Sequence, residues 1–141
     1  MKQVSITRDI AARPKAVWRV LTDPDSLTRD TGITRFNGAL ADGQRIILQA
    51  EVSEERTFNL VVTEFDAPRR MVWSSGVGRV FRSERVFTLT PQGDGTRFEM
   101  TERFSGLLLP FIWRTMPDLN PSFEQFAQAI AAQAEGASAP A

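Results

Sequence analysis

The chain has 141 residues and balances 17 basic against 17 acidic side chains, so its formal net charge is zero. It contains no His, no Cys and no Tyr, which excludes Ser-His-Asp and Cys-His catalysis, His- or Cys-ligated metals, disulfides and iron–sulfur clusters. The neutral balance argues against nucleic acid as a partner, because a phosphate footprint needs a basic excess.

Residues 3–10 alternate, with Val4, Ile6, Arg8 and Ile10 on one face, which predicts a strand. This charged start is no secretory signal, and no stretch reaches the roughly 18 apolar residues of a membrane span, so a cytoplasmic location is the expectation. Pro14 opens a predicted helix in which Ala16, Val17, Val20 and Leu21 recur at helical spacing. Thr22-Asp23-Pro24-Asp25 ends that helix, and a second short turn follows through Leu27.

From residue 33 the period switches to two, predicting strands at 33–40, 44–53, 57–66, 69–75, 79–91 and 96–105. Asp42-Gly43, Ser53-Glu54-Glu55, Asp66-Ala67-Pro68 and Gln92-Gly93-Asp94-Gly95 punctuate them as turns. Gly76-Val77-Gly78 reads as a mobile hairpin turn; no helix follows it, so it is not a phosphate loop. Links this short imply an antiparallel meander. Residues 106–120 are strongly apolar, but Pro110 and Pro117 limit helix there. Asn120 then offers an N-cap and Pro121 a first helical residue. Phe123, Phe126, Ala127, Ile130, Ala131 and Ala134 share one face of this last helix, and Gly136 is placed to end it.

The expected class is α+β, a curved seven-stranded antiparallel sheet wrapped around a long C-terminal helix, with short helices after the first strand. One domain over 1–136 is expected, followed by a disordered tail at 137–141. The segments Ala12–Pro24, Val62–Trp73, FTLTPQGDGTRFEMTERFSG (87–106) and PSFEQFAQAI (121–130), spread over nearly the whole chain, resemble the START-like or SRPBCC helix-grip superfamily. The likeness is to its bacterial polyketide cyclase/dehydrase-like and heat-shock-ATPase-activator-like members. The resemblance implies a hydrophobic cavity between sheet and long helix. It does not choose among lipid carriers, cyclases, quinone-binding proteins and co-chaperone modules.

The Gln92–Gly95 turn carries the sharpest local inference. If Pro91 faces Thr96, then Leu89 faces Phe98, Phe87 faces Met100, Arg85 faces Glu102 and Ser83 faces Phe104. That mostly apolar face looks inward, so Arg85 and Glu102 form an opposed ion pair on the cavity side. Desolvating such a pair is costly. It is either a polar anchor for a ligand or a satisfied structural pair. Glu64 shares its face with Phe58, Leu60 and Val62 and is a second candidate inward carboxylate, unless a bulge before Phe65 turns it out.

Candidate ligand-binding residues are Trp73, Arg85, Phe87, Met100, Glu102, Phe104, Trp113, Met116 and Phe126. Aromatic and Met side chains line adaptable pockets, and they also build ordinary cores. Leu107 to Leu119 reads as a lid, as a membrane- or partner-touching patch, or as a loop packed on its own helix. No acidic cluster has metal-binding spacing, and no motif calls for a cofactor.

Three functions remain open. The first is a carrier or sensor that binds a hydrophobic lipid-, polyketide- or quinone-like molecule. The second is a cyclase or dehydratase in which Glu102 moves a proton and Arg85 polarises a carbonyl. The third is a protein-interaction module, which predicts a filled core in place of an open cavity. A homodimer is compatible with each.

Overall fold

The period-two segments pair in chain order. The computed structural model describes residues 2–51 and 53–138, with residues 53–55, 137 and 138 described through the backbone alone. β1 (Lys2–Ile10) leads into α1 (Pro14–Leu21) and α2 (Pro24–Leu27). β2 (Ile33–Asn37), β3 (Arg45–Ala50), β4 (Ser53–Asp66), β5 (Arg70–Val77), β6 (Phe81–Gln92) and β7 (Gly95–Ser105) follow, then α3 (Leu109–Thr115) and α4 (Asn120–Ser138). They form a seven-stranded sheet in the order β1-β7-β6-β5-β4-β3-β2, antiparallel throughout. This is the α+β arrangement expected from the sequence.

Local chemistry explains the helix starts. Pro14 and Pro24 supply a fixed φ at positions where a missing N–H costs nothing. The Asp23 carboxylate caps α2, accepting from Asp25 N–H at 3.1 Å and Ser26 Oγ–H at 3.0 Å. Asp118 does the same for α4, accepting from the backbone N–H and side-chain amide of Asn120 at 3.0 and 2.8 Å. Asn120 is therefore the first helical residue and not the cap.

The core lies between the sheet and α4. Phe123, Phe126, Ala127, Ile130, Ala131 and Ala134 of α4 are all buried, as their common face predicts. They meet Trp73, Phe87, Phe98 and Met100 from the sheet, while Val17, Trp18 and Leu21 of α1 close one end. Each such side chain contributes about 1.5–3 kcal/mol on burial.

Four expectations need correction, and the alternative left open at Glu64 is decided. The turn expected at Ser53-Glu54-Glu55 is strand, because Ala50 already pairs with Ser53 across a two-residue connection; Val52 within it lies outside the described residues. The register shifts between Val62 and Glu64, so Val62 stays buried while Glu64 turns out to an exposed ion pair with Arg70 at 3.0 Å. β5 runs on to Val77, and the hairpin tip is Gly78–Val80 rather than Gly76–Gly78. Residues 109–115 are helical despite Pro110, which occupies the first turn where proline is tolerated. Gly136 does not end α4, which continues through it to Ser138. The remainder of the expected tail, residues 139–141, lies outside the described residues.

Candidate ligand-binding site

The β6–β7 register is the one the turn predicts: Leu89 opposite Phe98, Phe87 opposite Met100, Arg85 opposite Glu102 and Ser83 opposite Phe104. Extending the Arg85–Glu102 pair across the sheet gives the row Val62, Trp73, Arg85, Glu102 and Val4 on β4, β5, β6, β7 and β1. Two apolar side chains, an indole and an ion pair thus share one line on the inner face.

Arg85 and Glu102 make two contacts, Nε–H to Oε1 at 3.2 Å and Nη2–H to Oε2 at 3.4 Å. Their side chains are 22% and 14% exposed, so the pair is largely withdrawn from water. The guanidinium lies 5.0 Å from the ring centroid of Phe123 on α4, a cation–π contact. These contacts leave the Nη1 N–H groups of Arg85 without a partner among the described residues. The neighbouring Trp73 is 1% exposed, and its Nε1–H has no acceptor among the described residues. A buried donor left unpaired is costly.

A cavity of about 60 Å³ opens beside this pair, between the sheet and the first turns of α4. Arg85 and Met100 line it from the sheet, and Leu119, Ser122, Phe123 and Phe126 line it from α4 and the residue before it. The loop after α2 and the start of β2 form another wall through Thr31, Gly32 and Ile33, and Ala50 and Glu51 at the end of β3 complete it. The loop's conformation is fixed by Thr31, whose buried hydroxyl donates to Leu27 O and accepts from Ile33 N–H. Asp30 and Gly32 take positive φ values of 60° and 91°, which carry the chain back towards α4. Gln125 of α4 donates to Asp30 O at 3.4 Å across the gap.

Of the residues singled out from the sequence, Arg85, Met100 and Phe126 line the cavity and Glu102 stands behind Arg85. Trp73 and Phe87 are packed edge to face in the core, with centroids 4.7 Å apart. Phe104 and Trp113 form a separate aromatic group, 5.6 Å apart, near α3. Met116 is half-buried on the connection to α4. Sequence reasoning missed the Thr31–Ile33 wall, although Asp30-Thr31-Gly32 carries a turn signal directly before a strand.

A wider depression of about 620 Å³, lined by Arg13, Lys15, Arg69, Asp94 and neighbouring turn residues, opens at the Gln92–Gly95 end of the sheet. Its charged side chains are exposed, which makes it a solvated surface rather than an enclosed site. Among the described residues no acidic group has metal-binding geometry, and no helix is long and apolar enough to cross a membrane.

The fold has solved counterparts. The Mesorhizobium loti protein MLL2253 superposes with a TM-score of 0.78 at 21% identity, covering 98% of this chain and 100% of its own. The Thermus thermophilus protein TTHA0849 gives 0.73 at 21% identity over 98% and 100% of the two chains. A point mutant of Thalictrum norcoclaurine synthase, solved with a transition-state analogue, gives 0.75 at 12% identity over 98% and 96%. At these identities the likeness is one of fold. Among curated proteins none matches the sequence. Residues 1–135 match the family described as polyketide cyclase / dehydrase and lipid transport. With that match spanning nearly its whole length, the chain belongs to the polyketide cyclase/dehydrase and lipid transport family, of SRPBCC type.

Proposed function

We propose that the chain binds a hydrophobic small molecule carrying an oxygen-bearing headgroup, with the apolar body between sheet and α4 and the headgroup on Arg85. The observation that carries this reading is the Arg85–Glu102 pair, set into a mostly apolar face with Arg85 lining the cavity and its Nη1 N–H groups without a partner among the described residues. A purely structural pair in such a place has little advantage, since apolar residues of similar volume often stabilise as well or better. A ligand carboxylate, carbonyl or hydroxyl would take the free guanidinium N–H groups, while family membership supports an apolar ligand body.

The cavity of about 60 Å³ has room for a few waters. Ligand pockets run to about 300–1,000 Å³. Binding therefore requires the start of α4 and the connection before it to move outward, with Phe123 leaving the guanidinium. The test is titration with cis-parinaric acid, a fluorescent polyene with a carboxylate head, together with native mass spectrometry of freshly purified protein. Saturable binding is expected, weakened about tenfold or more in Arg85→Ala by loss of a charged hydrogen bond. Failure of the intact, folded protein to bind the probe or to retain any small molecule would remove this reading.

One observation favours a second reading. The side chains between sheet and α4 fill most of the space, with Phe87, Phe98 and Met100 fully buried. A filled core is what a protein-interaction module requires. A bare protein with a reproducible protein partner in pull-down would select it. Cyclase or dehydratase chemistry would fall to Glu102, the carboxylate on the inner face, and would require the ligand to draw Arg85 away from it first.

A further inference from the structure

At the end of the sheet where β5 turns into β6, several large apolar side chains face solvent. Val77 is 72% exposed, Val80 43%, Leu107 77%, Leu108 45% and Phe111 67%. They belong to two chain segments, the hairpin turn and the start of α3, which are fastened together by their backbones. Leu107 N–H donates to Arg79 O at 2.9 Å and Leu108 N–H to Val80 O at 3.0 Å. Gly106 permits this approach: at its φ of +122° a Cβ would lie 2.4 Å from Val80 O. The exposed side chains therefore form one patch.

The patch has a sign. Residues 76–82 and 106–117 contain Arg79, Arg82 and Arg114 and no Asp or Glu, in a chain whose overall charge is zero. Among the described residues none of these arginines has a carboxylate partner. Lys2 adds a fourth cation, its Nζ 5.8 Å from the Trp113 ring. The shape matters as well. β5, β6 and β7 are interior strands, and the stretch of β5 that pairs with β6 alone among the described residues, Ser75–Val77, is three residues long, too short an edge to hold a peptide strand. This end of the sheet thus carries exposed apolar side chains together with cations in the same segments, which matches the chemistry of an anionic lipid surface.

We propose that the tip formed by the Gly78–Val80 turn and the start of α3 docks onto anionic lipid bilayers. Leu107, Phe111 and Val77 enter the acyl boundary, and Arg79, Arg82 and Arg114 lie among the headgroups. α3 leads within four residues to Leu119 at the cavity wall, so docking brings the ligand site close to the membrane. Docking itself does not depend on the ligand-binding reading, but passage of a ligand between bilayer and cavity does.

The test is flotation of the full chain with vesicles of phosphatidylcholine alone and of phosphatidylcholine mixed with phosphatidylserine. Binding is expected to the mixed vesicles and to weaken as salt is raised. Arg79→Gln and Arg114→Gln should each weaken it about fivefold. The double variant Leu107→Ser/Phe111→Ser should weaken it by roughly a hundredfold or more. Both replaced side chains are mostly in water, so the thermal melt should not change, and Val77→Ser provides an independent variant in the turn. cis-Parinaric acid binding in solution should survive these changes, which separates failure of docking from failure of the ligand reading. Equal binding to both vesicle types, or undiminished binding by the double variant, would overturn the proposal. So would a wild-type dimer that the double variant converts to monomer without any vesicle binding, because the patch would then belong to a second copy of the chain.

Discussion

Arg85 and Glu102 face each other because a tight turn that begins at Gln92, seven residues beyond Arg85, sets their register, and spacing by two keeps them on the inner face. That makes the pair legible from sequence. That the Trp73 N–H finds no acceptor among the described residues was not, because it depends on what packs around the indole, including Phe36 of β2 and Phe87 of β6. The pair also separates structural from functional roles. Arg85→Ala leaves a largely buried carboxylate without its partner and should cost about 1–3 kcal/mol in urea unfolding. The double variant Arg85→Met/Glu102→Leu removes both charges and should cost less than the single one. If the double variant keeps its stability and loses cis-parinaric acid binding, the pair serves the ligand. Equal losses from single and double variants would contradict the ion-pair account. A second residue-scale consequence concerns Asp118. Its hydrogen bonds from the Asn120 backbone and then side chain hold its pKa below the ordinary aspartate value. The carboxylate therefore stabilises the start of α4 at pH above that ordinary value, and the contribution fades as pH falls through the lowered one. Asp118→Ala should accordingly melt below wild type at neutral pH, with the gap closing in acid; a gap that widened in acid would contradict the assignment.

The strands show where period-two reading succeeds and where it fails. β6 and β7 are long, regular and joined by a Gly-rich turn, so alternation alone orders their faces. β4 carries an irregularity between Val62 and Glu64, and from there the faces invert. No local residue preference marks that point; it follows from pairing with β5, where Val62 meets Trp73 and Glu64 meets Val72. α3 escaped notice for a related reason. Pro110 breaks a helix interior but suits a first turn, and the start at Leu109 is set by the contacts of Leu107 and Leu108 with the β5–β6 turn. The glycines in and just before that turn are not equivalent. At Gly76, φ +133°, a Cβ would lie 2.3 Å from Phe81 O, whereas at Gly78, φ +48°, it would meet nothing within 4 Å. Gly76→Ala should therefore destabilise by more than about 2 kcal/mol, and Gly78→Ala by about 1 kcal/mol from its left-handed backbone alone. Comparable losses in chemical denaturation would show that the turn relaxes around the added methyl group.

At the scale of the whole molecule, the family resemblance anticipated an apolar cavity between sheet and helix, and the structure has a small one there that polar side chains, Glu51, Arg85 and Gln125 among them, line together with apolar ones. The difference lies in packing volume, which alternation cannot encode: the same apolar faces are compatible with a filled core or an open one. Here Phe123 is decisive, because it is 2% exposed, lines the cavity and covers the Arg85 guanidinium. It belongs to the first turns of α4, next to the connection that leads from the exposed α3. If ligand must displace this ring, trimming it should make binding easier even as it loosens the fold. Phe123→Leu removes packing worth about 1–2 kcal/mol and should lower the melting temperature by several degrees. The same change should raise the affinity for cis-parinaric acid, because less native packing is lost on opening and Arg85 is uncovered. Lower stability together with tighter binding would mark Phe123 as the gate to the site. Lower stability with unchanged or weaker binding would mean that the ring is ordinary core and that any ligand reaches Arg85 by another route.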